Sequence, residues 1–444
     1  MVISTSAKRR PLAEAGLVGA AVAVTKNRLL TTLTSACVAL GVSSSAAEVT
    51  EVDSAILIYS EIDRVSLAEM AVSAKHDFGN ERIGSLKLVF DSLTGSSANG
   101  ATSANFAQTF TSPSGSETYT TAPGETPLDG SFKDTRGAID ASYSFPLSRL
   151  TKAVVGSHFS AEIDYTSIGA NSSISRDFNK RNTTLSLGVA FSHDIINPQG
   201  GRPDPLTTMI DQQEDDDDKD DDNDIPNRLP GNGTKNAADI ILSLTQVIDR
   251  NTISRLNYSY GRVSGYQNDP YKFVSLVYPD SINYLYESRQ DLRNKHALFG
   301  EVKRNISGDV LTASYRFMKD DWGIKSHTID MRYRWQKTEK SYFQPHVRWY
   351  NQSAANHFIP YLTTDEPMPE YASSDYRLSD MTAVTYGLKY GRTLSSGRQF
   401  SVRLEHYKKL KNKSPPDVPE VMSGLDLYPS VDAIILQASF SLGF

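Results

Sequence analysis

The chain has 444 residues, 39% of them hydrophobic, a single cysteine and a formal net charge of −6. No stretch beyond the N-terminal region approaches the ~20 apolar residues of a spanning helix, which excludes a helical membrane protein. The acidic balance, with no basic stripe or RNA-binding motif, excludes nucleic acid as a partner.

Residues 1–47 read as a signal peptide. Lys26 and Arg28 precede the apolar run LLTTLTSACVALGV, and Ser45 and Ala47 occupy the small-residue positions of a cut after Ala47. Cys37 lies inside this segment. The exported part, 48–444, therefore has no thiol for a disulfide, a thiolate metal site or a cysteine nucleophile.

From there the chain is a succession of alternating segments. In chain order they are 55–61, 65–77, 82–91, 135–146, 152–166, 168–178, 183–193, 237–248, 252–263, 294–305, 309–320, 325–337, 341–352, 380–392, 398–409 and 432–444. Leu86, Leu88 and Phe90 share one face of the third. Leu185, Leu187, Val189 and Phe191 do so in the seventh, and Ile329, Met331, Tyr333 and Trp335 in the twelfth. Val384, Tyr386, Leu388 and Tyr390, and then Phe400, Val402 and Leu404, repeat the pattern near the end. The predicted fold is all-β: a transmembrane antiparallel up-and-down β-barrel of about 16 strands.

Short connections (FGNE, PLSRL, NKRN, DRN, SGD, TEK, SSG) carry turn chemistry, and five long ones separate them: 92–134, 194–236, 264–293, 353–379 and 410–431. Outer-membrane barrels put short turns in the periplasm and long loops outside. Counting strands back from the C-terminus sends all five long connections outside and all seven of these turns inside. The last segment, AIILQASFSLGF, alternates strictly to a terminal Phe444. That ending resembles the strand recognised by the barrel assembly machinery of Gram-negative outer membranes. Tyr and Trp near the strand ends (Tyr333, Trp335, Trp349, Tyr350, Tyr386, Tyr390) suit interfacial girdles.

Several longer strings carry a family resemblance: DSLTGSSANGA (91–101), QTFTSPSGS (108–116), GETPLD (124–129), FKDTR (132–136), DYTSIGAN (164–171) and RDFNKRNTTLSLG (176–188). With them, residues 51–200 resemble an uncharacterised family of bacterial outer-membrane proteins, a domain of unknown function of about 400 residues. The pattern continues more weakly to Phe444. The resemblance implies an outer-membrane barrel. As partners it implies a small lipoprotein and periplasmic redox or flavin-transfer proteins, and it assigns no catalytic or ligand-binding residue.

Strand parity distributes the charges unevenly. The first half points Asp91, Asp140, Glu162 and Asp164 into the lumen, with Lys87 among them. The second half points Arg255, Arg316, Arg332, Arg334, Arg348, Lys389 and Arg403 inward, with Glu301, Asp330 and Glu405 among them. Facing acidic and basic walls would orient polar solutes; the alternative is that these groups pair and brace the barrel. Loop 92–134, rich in Gly, Ser, Thr and Asn, leaves two placements open: plainly external, or folded over the mouth or into the lumen.

The run EDDDDKDDDND places Glu214, Asp215, Asp216, Asp217, Asp218, Asp220, Asp221, Asp222 and Asp224 in external loop 194–236. Like charges flanked by Pro and Gly make it an extended, solvated spacer. It lacks the EF-hand spacing, yet its carboxylates have the chemistry to hold Ca²⁺ or another divalent cation loosely. No other cofactor is expected. His158 and Ser160 share a face ahead of Glu162 and Asp164, but a Ser and a His two apart on one strand is an everyday pairing, so the chain is not expected to be an enzyme. The expectation is an outer-membrane channel or transporter for small polar or ionic solutes, in contact with lipopolysaccharide. The alternative is a non-conducting structural or assembly barrel.

Overall fold

The structure is a computed structural model describing residues 49–111, 118–130, 133–209, 227–394, 397–410, 418–428 and 430–443. The N-terminal segment expected as signal peptide, the acidic run 214–224 and Phe444 lie outside the described residues.

Sixteen antiparallel strands close a barrel: β1 (Val49–Glu61), β2 (Val65–Asp77), β3 (Ile83–Gly95), β4 (Lys133–Ser148), β5 (Thr151–Ala161), β6 (Tyr165–Phe178), β7 (Thr183–Ile196) and β8 (Gly233–Asp249) form one half. The other half is β9 (Thr252–Gly265), β10 (Leu292–Ile306), β11 (Asp309–Asp320), β12 (Lys325–Thr338), β13 (Ser341–Gln352), β14 (Met381–Thr393), β15 (Gln399–Lys409) and β16 (Val431–Gly443). Each strand pairs with its neighbours in sequence. β16 returns to β1, in continuous register from Glu51 opposite Gly443 to Glu61 opposite Ala433.

The reason lies in the alternation. Leu88, Val189, Ile240, Leu298, Ile329, Leu404 and Leu436 all stand exposed on the outer face. In water such a band would be an aggregation surface; in a bilayer it meets hydrocarbon, and a closed ladder leaves no backbone group unpaired there. The intervening residues face the lumen and are for the most part polar, small or charged, with apolar exceptions such as Ile241 and Phe299.

The seven short turns all lie at one end, and the hairpin at Ser307–Gly308 shows their chemistry. Both residues have positive φ (53° and 102°), the twist a two-residue connection needs, and glycine supplies one of them without strain. The five long connections lie at the other end, together with three short ones at 62–64, 162–164 and 321–324. Strand boundaries shift in places, β1 beginning at Val49 rather than 55 and the eighth strand at Gly233 rather than 237, and one expected strand is divided. Segment 152–166 is not a single strand: β5 stops at Ala161 and β6 starts at Tyr165, and the Glu162 N–H closes the turn on the Tyr165 carbonyl at 2.7 Å. Glu162 and Asp164 therefore sit in a connection at the barrel mouth rather than along a wall. Alternation runs on through the turn, so the pattern alone does not show the break.

The described parts of the long connections fold together into a cap. Its hub is a hairpin, Phe273–Val277 paired with Ile282–Tyr286, extended by a parallel pairing with Leu362–Thr363. Loop 96–132 contributes two small hairpins, Ser97–Ala98 with Leu128–Asp129 and Gln108–Thr111 with Thr118–Thr121. It docks on the hub through Phe273 N–H to the Asn99 carbonyl (2.8 Å) and the Gln108 amide to the Tyr284 hydroxyl (2.9 Å). Loop 197–232 adds Met209 N–H to the Tyr284 carbonyl at 2.7 Å. Phe110 is fully buried among Tyr119, Phe273 and Tyr284, and Val421 and Met422 of the β15–β16 loop complete that core. The described part of the loop between β3 and β4 thus belongs to a packed layer.

The outer face predicts a depth-dependent penalty. Val189→Arg, at the middle of β7 facing lipid, should lose about 2–4 kcal/mol of stability in urea unfolding from vesicles. The same substitution at lumen-facing Ala190 should lose far less.

Candidate functional site

The lumen wall from β9 to β15 is organised around Asp330, which is 6% exposed. Its carboxylate accepts from Arg348 Nε (2.9 Å) and Arg332 Nη2 (3.4 Å), the Arg332 Nε lies 3.1 Å away as an ion pair, and the His346 Nε2 lies 2.9 Å away. His346 Nδ1 faces the Glu405 carboxylate at 2.7 Å, and Arg403 approaches the same carboxylate at 3.7 Å. His346 is on β13 and Glu405 on β15, so this contact crosses β14. Gly387 makes it possible, because it stands opposite both residues, and a Cβ there would lie 2.5 Å from the Glu405 Cγ. Arginine outnumbers carboxylate in this cluster, so the wall keeps a net positive charge.

The other predicted cations extend it. Lys389 stands in register between Gln344 and Arg403. Arg316 stands between Phe299 and Thr328 with no ion pair among the described residues. Arg334 stacks on the Tyr342 ring at 3.8 Å. Arg255 is in register with Glu301, which Lys303 holds at 2.9 Å; these three line a recess of about 390 Å³ towards the short-turn end, shared with Thr245, Asn251 and Asn305.

The opposite wall is acidic but internally paired. Asp91 receives Arg136 at 2.7 Å, and Arg136 also reaches Glu162 at 4.0 Å. Asp140 is in register with Lys87 and lies 2.7 Å from His158 Nδ1. These pairs join neighbouring strands of one wall. Arg136 and His346 escape the sequence reading although parity marks both as inward: Arg136 shares the face of Asp140, and His346 that of Arg348.

Above the lumen, the cap builds a second charged cluster. Glu287 lies within the cap, with Arg289 at 2.7 Å and the Ser373 hydroxyl donating at 2.6 Å. Arg289 also donates to Asp375 (2.8 Å), and Arg377 links Asp375 to Asp269 (2.6 Å). Burial pushes Glu287 up to about 7, the Asp269 and Asp375 charges adding to it against the pull of Arg289. For Asp375 burial acts the same way, but Arg377 and Arg289 overcome it and hold the carboxyl far below the usual range.

This cluster completes a bridge over the mouth. At one end the Tyr271 hydroxyl donates to Asp164, between β5 and β6. At the other, Gln352 at the end of β13 donates to the Arg377 and Ser379 carbonyls (2.9 and 2.7 Å). Tyr376 lies under the Lys409 ammonium (4.8 Å), and Asp269 to Arg377 joins the two halves. The anchors at β5–β6 and β13 are half a circumference apart in the strand order. The cap thus spans the mouth from wall to wall. Its hub was missed in sequence, though FVSLV and INYLY around the turn YPDS carry a hairpin signal. Among the described residues no group of three or more His, Cys, Asp or Glu is placed to hold a metal ion, and the Asp-rich run lies outside them.

A family profile described as "Protein of unknown function (DUF3570)" matches residues 15–442. A search of curated proteins finds no match. Among solved structures, the chain is similar to a ferric enterobactin receptor of Pseudomonas aeruginosa in complex with enterobactin (TM-score 0.43, 11% identity, 89% of this chain and 60% of that one). It is also similar to a bacterial polysaccharide outer membrane secretin (0.42, 8%, 90% and 100%) and to the siderophore receptor PirA of Pseudomonas aeruginosa (0.39, 7%, 90% and 62%). The chain spans about 60% of the length of the enterobactin receptor. At these scores the likeness carries no argument about ligands.

The Glu287 carboxyl gives the cap a pH dependence. A carboxyl raised from 4.5 to about 7 contributes stability that is fully present below 4.5 and is lost as pH rises through 7. Amide-exchange protection factors at 273–286, with the base catalysis of intrinsic exchange divided out, should therefore fall severalfold between pH 5 and pH 8. Glu287→Gln should flatten that dependence; an unchanged profile in the variant assigns it to another group.

Proposed function

Because the chain belongs to the DUF3570 family, whose function is unknown, and closes a sixteen-strand barrel, we propose from its own residues that it is an outer-membrane channel for small polar or ionic solutes, narrowed by its cap. The carrying observation is the pair of walls: an arginine-rich one centred on Asp330, facing one whose carboxylates Asp91 and Asp140 are spent on neighbouring strands. Charges fixed on opposite walls of a low-dielectric tube set up a transverse field, which favours small dipolar or charged solutes over apolar ones. The cap bridge between Asp164 and Gln352 limits solute size.

The same reading places the protein in the outer membrane of a Gram-negative bacterium, exported by the segment 1–47 and inserted by assembly machinery that reads Phe444. Lipopolysaccharide then surrounds the outer rim. The chain carries no reaction in this reading. The competing class is a sealed barrel that serves a periplasmic lipoprotein or redox partner.

Planar-bilayer recording separates the two. The wild-type barrel should give small, resolvable conductance steps. Replacing the hub 273–286 by a short Gly/Ser linker should raise them severalfold, and Arg316→Gln with Arg334→Gln should shift reversal potentials towards cation selectivity. Silence from both the wild type and the hub-deleted barrel would leave the sealed-barrel reading standing.

A further inference from the structure

The outer face of the barrel is apolar along its middle, but at the cap end of one side it becomes basic. Lys319, one residue from the end of β11, and Lys325, the first residue of β12, are direct partners across the strand pair. Both are exposed and point away from the lumen, on the opposite parity to Met318 and Ser326. Two ammonium groups rooted about 5 Å apart repel one another, and a pair so placed destabilises a sheet unless something negative sits between them. Neither lysine has a carboxylate partner among the described residues.

The surroundings extend the charge. His296 on β10 is the next residue in the same row, opposite Lys319, and His327 lies one row below on β12. Each imidazole has its Nδ1 hydrogen-bonded to a tyrosine hydroxyl (Tyr258 at 2.8 Å, Tyr315 at 2.7 Å), which leaves Nε2 for an outside partner. Among the described residues, the nearby carboxylates are engaged: Asp321 accepts from both the backbone and the side chain of Asn294 (2.9 and 2.7 Å), and Asp320, on the lumen side, holds Arg293 at 2.5 Å.

The lysines are also held in place. The connection 321–324 buries Trp322 and Ile324 against Ala355 and Leu378 of the cap, and the Trp322 Nε1 donates to the Leu292 carbonyl at 2.8 Å. Directly below the patch Leu298, Ile329 and Met331 stand exposed, a surface for acyl chains. On the β6–β8 side of the same rim the outward positions are Thr166, Ile195, His193 and Asn236, with no Lys or Arg. Arg262, outward on β9, borders the patch, and Lys408 on β15 is paired with Asp432 at 3.3 Å, so the unpaired lysine pair is a local feature.

We infer that Lys319 and Lys325, with His296 and His327, form a binding site for the phosphate groups of a phosphorylated glycolipid in the outer leaflet. The apolar surface directly beneath favours a lipid over free phosphate, since acyl chains and headgroup are then bound together. The closely spaced lysines favour a phosphomonoester dianion over a singly charged phosphodiester. The inference rests on the outer-membrane orientation proposed above, but its test needs no conductance, so a silent barrel leaves it standing.

The test is native mass spectrometry of the refolded full-length barrel in detergent with diphosphoryl lipid A. Binding should be about tenfold tighter than for the same lipid stripped of its phosphates, and tighter than for phosphatidylglycerol. Inorganic phosphate at millimolar concentration should not compete. Lys319→Gln with Lys325→Gln should lose about tenfold, whereas Lys319→Arg with Lys325→Arg should retain binding and Lys408→Gln, on β15, should leave it unchanged. Equal binding by the dephosphorylated lipid, or by the neutral double variant with its heat-modifiable gel migration intact, overturns the inference. Full competition by inorganic phosphate instead assigns the patch to a free anion and overturns the lipid.

Discussion

Closure of β16 on β1 is the constraint on which the rest of the molecule depends. In hydrocarbon every unpaired backbone group costs several kcal/mol, so an open sheet of this size has no stable place in a bilayer. Closure removes both edges at once and divides every strand into a lipid face and a lumen face. Charge can then be buried in the lumen at moderate cost. Each ionic group has neighbours on adjacent strands about 5 Å away, and the Asp330–His346–Glu405 contacts use that spacing. The cap follows from closure too, since only a ring of strand ends brings five loops into one layer.

The barrel was legible in the sequence because lipid imposes a rule on every second residue. Leu86, Leu88 and Phe90, or Val384, Tyr386 and Leu388, must be apolar whatever the lumen does, and the period of two survives all other variation. Where both faces of a strand meet protein, that rule disappears. FVSLV and INYLY are buried on both faces inside the cap, so they appear as short apolar runs within a loop rather than as strands. Glu162 and Asp164 show the opposite failure, in which the alternation outlasts the strand.

The charged walls were legible as faces but not as contacts. Parity gives the side of Arg348 and Glu405; it does not say that a histidine reaches across an intervening strand. That reach depends on Gly387 having no side chain, a condition that appears only once the register is known. The cap bridge is less accessible still, because Asp269, Asp375 and Arg377 come from loops separated by about a hundred residues and meet only through the folding of the hub.

The shared core of the cap has a consequence for the order in which the molecule is built. Phe110 is contributed by the β3–β4 loop, Phe273 and Tyr284 by the β9–β10 loop, and Val421 and Met422 by the β15–β16 loop. Until the last hairpin is in place, the earlier loops present a bare aromatic surface to the medium. A barrel stalled before its final strand is therefore marked on its outside as well as at its open edge. Completion of the sheet and concealment of that surface become one event, so a protease that recognises exposed aromatic residues would distinguish finished from unfinished barrels without touching the membrane-embedded part.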